Sequence, residues 1–136
     1  MNPAPQKPSD RPRIDKLGIK PGLRVAVIGV DDDLLLSELR ARTDELVIGM
    51  PRTRRDVIFY AAETRESLGE LERLRERIVH AGAIWVVSKK GKERSVNDTD
   101  VIAAARRVGL VDNKVVSFSA THTALRLVIP LALRER

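Results

Sequence analysis

The sequence predicts an α/β fold: a three-layer sandwich with a mostly parallel sheet and a C-terminal antiparallel hairpin. Three observations carry this. Short apolar runs alternate with helical patterns along the chain. Three of the runs, at residues 24–30 (RVAVIGV), 56–62 (DVIFYAA) and 83–88 (AIWVVS), are nearly unbroken, as in central parallel strands buried on both faces. The last two runs, 114–119 and 124–129, are separated only by residues 120–123, which fits a hairpin.

Taken in order, residues 1–13 read as a disordered basic arm. Pro3, Pro5, Pro8 and Pro12 deny it regular structure, and it has little apolar surface to bury. A single domain then occupies 14–136, with order beginning at 14–17 and Lys20-Pro21-Gly22 marking a turn. After the first strand, Asp31, Asp32 and Asp33 open a helix reaching about residue 42. Acids belong there because they cap free N–H groups and meet the helix dipole. Leu35, Leu36 and Leu39 form its apolar face. Residues 45–50 (ELVIGM) give a short edge strand whose direction the pattern leaves unsettled.

Residues 65–81 make the clearest helix by periodicity. Leu68, Leu71, Leu74 and Ile78 recur at three- and four-residue spacing, His80 falls in the last turn, and Gly82 is expected to stop it. After a loop at 89–96, Asn97 caps a helix with Asp100 in its first turn, and Gly109 ends it. Ile102, Ala105 and Val108 are expected to face inward. The expected core includes Val27, Ile58, Leu71, Leu74, Trp85, Val87, Ile102 and Val116. Strand–helix alternation with right-handed crossovers is a Rossmann-like organisation.

Composition narrows the function classes. The 136 residues are 43% hydrophobic and 32% charged, ordinary values for a globular domain. With no cysteine, disulfides, thiolate metal sites and cysteine nucleophiles are excluded, which agrees with a cytoplasmic location. No signal-like apolar segment opens the chain, and its apolar runs are strand-length, so no membrane association is expected. The net charge of +6 permits anionic partners. The basic residues are scattered among acids, and aromatic content of 3% leaves little for base stacking, which disfavours nucleic acid.

From Asp56 onward the chain resembles the second half of a class I S-adenosylmethionine-dependent methyltransferase. DVIFYAAET looks like that family's fourth strand, IVHAG and AIWVVSKKG like its fifth strand with the preceding glycine turn, and VIAAARRVGLVDNKVVSFSATHTALRLVI like its last helix and terminal hairpin. A closer resemblance is to a family of short bacterial proteins of uncharacterised function (domain of unknown function three-zero-five-two). Leu17-Gly18-Ile19-Lys20-Pro21-Gly22, Asp56-Val57, Gly82-Ala83-Ile84-Trp85-Val86 and Gly109-Leu110-Val111-Asp112-Asn113-Lys114-Val115 carry that likeness. It implies a truncated methyltransferase-like fold and assigns no activity.

The chain departs from the methyltransferase pattern at the cofactor. That pattern implies a glycine-rich turn after the first strand and an acid ending the second, which holds ribose hydroxyls. Here Gly29 stands alone before Val30, Asp31 and Asp32, and the second strand ends Gly49-Met50-Pro51. No cofactor is therefore expected. The stretch from Asp33 to Asp56 is also too short for two further helices.

Other candidates divide between structural and functional readings. The three aspartates after the first strand are similar to the magnesium-binding acids of response-regulator receivers. The phosphoacceptor position holds Ala61 and Ala62 instead, so helix capping is preferred and no metal is expected. Lys89, Lys90, Lys92 and Arg94, beside Gly91, could grip a phosphate or carboxylate or form a solvated loop. Arg52, Arg54 and Arg55 could guard an exposed edge strand. His80 and His122 stand apart, and no serine or threonine has nucleophile-elbow spacing, so no catalytic residue is assigned.

Parallel strands deliver their following loops to one edge, where ligands of such sheets bind. The candidate ligand-binding residues on that edge are Gly29, Asp31, Asp32, Ala62, Thr64, Ser88, Lys89 and Lys90. The expectation is a non-catalytic domain with a degenerate methyltransferase-like fold that binds a protein partner or a small anionic ligand; a homodimer is compatible with the sequence. The alternatives are an atypical methyltransferase and a basic accessory protein for nucleic acid.

Overall fold

The computed structural model describes residues 11–92 and 94–134. Most of the expected arm, residues 1–10, lies outside them. One six-stranded sheet organises the chain. Its strands are β1 (Val25–Ile28), β2 (Leu46–Ile48), β3 (Arg55–Ala61), β4 (Ile78–Lys89), β5 (Val111–Ser117) and β6 (His122–Val128). They lie in the order β2-β1-β3-β4-β6-β5. β2, β1, β3 and β4 are mutually parallel, and β6 runs antiparallel to both β4 and β5. The three unbroken apolar runs are thus adjacent and parallel, as their burial on both faces requires. β2 is a parallel edge strand, which settles its direction.

The helices are α1 (Arg13–Lys16), α2 (Asp33–Arg42), α3 (Leu71–Arg75) and α4 (Asp98–Arg107). Side chains alternate across each strand, so every central strand feeds two cores. On one face Val25, Val27, Phe59, Trp85 and Val87 pack with Ile14, Leu17, Leu35 and Leu39 from α1, the residue after it, and α2. On the other, Ala26, Ile58, Tyr60, Ile84 and Val86 pack with Leu71, Leu74, Val101 and Ala105 from α3 and α4. Trp85 is fully buried, and its Nε1 donates to the Leu17 carbonyl at 3.1 Å, satisfying its one polar atom. Every expected core residue is buried except Ile102, which is partly buried against the second core while Val101 takes the inward position.

The segment at 65–81 departs from expectation. Residues Glu66–Glu70 form a 3₁₀ turn, α3 is only five residues, and β4 begins at Ile78. Leu68, Leu71, Leu74 and Ile78 are all buried on one face, so the periodicity was real. It ran through a helix end into a strand, because Ile78 pairs with Arg55 of β3. His80 and Gly82 therefore lie in β4, and Gly82 does not cap a helix. It sits beside a register shift between β3 and β4, where a Cβ would stand 2.9 Å from the Asp56 carbonyl oxygen and 3.0 Å from that of Val79. Glycine is there for close backbone approach.

Two further corrections concern charge. Arg13 opens α1 and packs against the domain, so the arm does not extend to it. Arg55 does not fringe an edge: it is buried at the start of β3, and its Nη1 donates to the Glu45 carbonyl at 3.3 Å. No helix among the described residues is long and apolar enough to cross a membrane.

Candidate functional site

The topology locates a cleft. β1 hands the chain to α2 on one face of the sheet, and β3 hands it to the 3₁₀ turn and α3 on the other. The strand order reverses at this pair, β2 lying beyond β1 and β4 beyond β3. Loops leaving such a switch point diverge and open a crevice at the carboxyl ends of the strands. A cleft of about 470 Å³ lies there, walled by residues 29–32, 61–63 and 87–89, by Phe118, Ser119 and Thr121 of the β5–β6 turn and by His122 at the start of β6. That volume suits a small molecule.

The cleft brings together Gly29, Asp31, Asp32, Ala62, Ser88 and Lys89 from the expected set. Thr64 and Lys90 are turned elsewhere. Thr64 exchanges hydrogen bonds with Ser67 and lines a smaller depression beside Lys89. Lys90 Nζ donates to Ser117 Oγ at 2.6 Å and to the Ser119 carbonyl at 2.8 Å, pinning the β5–β6 turn.

Each wall follows from local chemistry. Gly29 has φ of +72°, which lets the chain turn sharply out of β1. Asp32 is the N-cap of α2, its Oδ1 accepting from the Leu35 N–H at 2.9 Å. Its Oδ2 accepts from Arg13 Nη1 at 2.8 Å. Arg13 also donates to Glu38 Oε1 at 2.9 Å and to the Phe118 carbonyl at 3.0 Å. Its guanidinium carbon stands 4.7 Å from the Phe118 ring centroid. One side chain thus fastens α1, α2 and the β5–β6 turn at the rim of the cleft. The hydrogen bond from Arg13 holds the Asp32 carboxyl below the usual range against the opposing effect of burial. Burial acts to lower the Arg13 pKa, but bonding and charge from Asp32 and Glu38 outweigh it and raise it.

Asp31, Glu63 and Lys89 are exposed at the cleft. The two acids come from the loops after β1 and β3; Lys89 ends β4 opposite His122, its partner on β6. His122 Nδ1 lies 2.7 Å from Thr121 Oγ1. Asp32 is paired with Arg13 from the start of the domain and not with a lysine of the loop after β4. Among the described residues no group of three or more histidines and acids is placed to hold a metal, so the three aspartates do not form a cation cluster.

A family model described as a protein of unknown function (DUF3052) matches residues 14–131. The chain belongs to this family. No curated protein matches it in sequence. Its fold is similar to solved methyltransferases. A ribosomal-protein methylase of Lactobacillus delbrueckii subsp. bulgaricus aligns over 86% of this chain and 74% of its own, with 12% identity and a TM-score of 0.62. A TehB-like S-adenosylmethionine-dependent methyltransferase of Corynebacterium glutamicum aligns over 87% and 86%, with 14% identity and a TM-score of 0.58. An O-methyltransferase of neocarzinostatin biosynthesis aligns over 79% of this chain, with 12% identity and a TM-score of 0.62. The present chain spans 50% of that enzyme. This DUF3052 member accordingly has a methyltransferase-like, Rossmann-like fold.

The residues present do not fit the cofactor that this likeness implies. Asp32 and Arg13 occupy the α2 N-terminus, where a cofactor carboxylate would meet a carboxylate already in place. β2 ends at Ile48, followed by Gly49 and Met50; the side chains of Ile48 and Met50 are exposed and apolar and offer no acceptor to ribose hydroxyls.

Sequence reasoning missed Arg13, the turn residues Phe118, Ser119 and Thr121, and His122 of β6 as residues of the cleft and its rim. The proline-rich setting of Arg13 masked it. The run of serines and threonines at 117–123 was the available signal for a polar rim.

Proposed function

We propose that this protein is a non-catalytic binding domain whose switch-point cleft takes a small zwitterionic or phosphorylated molecule. One observation carries the reading. The cleft opens where the sheet reverses its strand order, with the Asp31 and Glu63 carboxylates on the loops after β1 and β3 and with Lys89 and His122 on β4 and β6. A ligand bearing both signs of charge complements that pairing. The concave shape favours a small molecule over a protein partner. The capped and ion-paired α2 N-terminus supports a role other than methyl transfer.

The test is a titration of the ¹⁵N-labelled full chain with O-phosphoserine and with aspartate, followed on backbone amides. The expected result is saturable movement of the Gly29, Ala62 and Lys89 amides along one curve for at least one probe. Saturable movement confined to amides outside the cleft, or none at millimolar probe, contradicts the reading.

A further inference from the structure

β4 alternates its side chains between the two cores. Ile84 and Val86 face α4, whereas Trp85 and Val87 face α2. Ser88 continues the first set and faces the start of α4. It is 4% exposed, and its hydroxyl takes no part in the hydrogen bonds of the described residues. The small surface it keeps opens onto a depression of about 380 Å³ shared with Lys89, Arg94, Asn97, Asp98 and Thr99. Its Oγ keeps contact with solvent and has no protein partner among the described residues, so it is free to donate to a ligand that reaches it.

The depression holds further donors. α4 has ten residues and a reciprocal cap: Asn97 Oδ1 accepts from the Asp100 N–H at 2.9 Å, and Asp100 Oδ2 accepts from the Asn97 N–H at 3.1 Å. The Asp98 and Thr99 N–H groups, in the first turn, have no intrahelical acceptor. Lys89 adds positive charge at the rim, and Arg94, whose Nη1 donates to the Gly91 carbonyl at 3.0 Å, adds more. Among the described residues that line it, Asp98 is the one acid, against Lys89, Lys90 and Arg94. Ser88 and Lys89 also line the switch-point cleft, so these two residues are common to both spaces.

We propose that this depression seats the phosphate of a phosphate monoester whose remainder lies in the switch-point cleft, with Ser88 Oγ donating to a phosphate oxygen. The inference rests on the cleft being a small-molecule site. A hydroxyl, helix amides and cationic side chains approach from different directions, which suits a tetrahedral oxyanion better than a planar carboxylate.

The experiment follows the amides of the full chain during titration with O-phosphoserine, serine and inorganic phosphate, in the native protein and in Ser88→Ala. O-phosphoserine should move the Ser88, Asp98 and Thr99 amides together with those of Gly29 and Ala62. Inorganic phosphate should move the first group alone, and serine should leave Asp98 and Thr99 in place. Ser88→Ala should weaken O-phosphoserine roughly tenfold. It should leave the thermal midpoint unchanged, because the lost hydroxyl had no protein partner. If Gly29 and Ala62 move while Asp98 and Thr99 do not, the cleft stands and the phosphate seat is wrong. If neither group moves, the cleft reading fails and this inference fails with it. Equal affinity for O-phosphoserine in Ser88→Ala also overturns the phosphate seat.

Discussion

Arg13 Nη1 lies 2.8 Å from Asp32 Oδ2, tying the first helix of the chain to the N-cap of α2. Because Arg13 also reaches Glu38 and the Phe118 carbonyl, the rim of the cleft is a single electrostatic unit. Both side chains of the pair are mostly shielded, Arg13 at 16% and Asp32 at 20% exposure, so solvent screens it less than an ordinary surface pair.

Arg13→Ala should therefore cost about 2 kcal/mol of unfolding free energy, from lost charge-assisted bonds and the lost stack on Phe118. Urea denaturation measures it. A loss within experimental error would show that the three elements hold together without the guanidinium.

The same pair sets an acid dependence. The Asp32 pKa is lower in the folded chain than its ordinary value. Its contribution is fully present above the unfolded pKa, near about 4. It is lost as pH falls through the depressed folded value. Asp32→Asn keeps a capping side chain but removes the charge. The stability gap between the native protein and Asp32→Asn should be constant above about pH 5 and close progressively below about pH 4. A gap that stays constant down to acid unfolding contradicts the assignment.

The fold was legible where one physical requirement dominated. The unbroken apolar runs around Val27, Ile58 and Trp85 could satisfy themselves only at the centre of a parallel sheet. Asn97 and Asp100 announced the start of α4 because a reciprocal cap needs that spacing. The error at 65–81 arose where two periodicities overlap: Leu74 and Ile78 are four apart, yet one ends a helix and the other begins a strand. Gly82 misled for a related reason, since close backbone approach across β3 and β4 cannot be told from a helix stop by residue type alone. The expected site edge found one loop after each of β1, β3 and β4. Arg13 and the β5–β6 turn join that edge only through contacts distant in sequence, which local pattern does not encode.

Gly82→Ala tests the corrected reading of that segment. The new Cβ would meet two backbone oxygens at 3.0 Å or less, so a strand must shift. The expected cost is roughly 2–4 kcal/mol, compared with about 1 kcal/mol or less for an alanine accepted without strain. A neutral or stabilising result by thermal denaturation would mean that the register between β3 and β4 differs from the one described.

Isothermal titration calorimetry of the full chain with S-adenosylmethionine bears most directly on the claim that this is a binding domain that has left the cofactor chemistry of its fold. With Asp32 and Arg13 closing the α2 N-terminus and no acceptor on the Ile48 or Met50 side chain after β2, the account predicts no saturable heat at micromolar ligand. Stoichiometric, saturable binding at micromolar affinity would contradict it and return the chain to the methyltransferases its fold resembles.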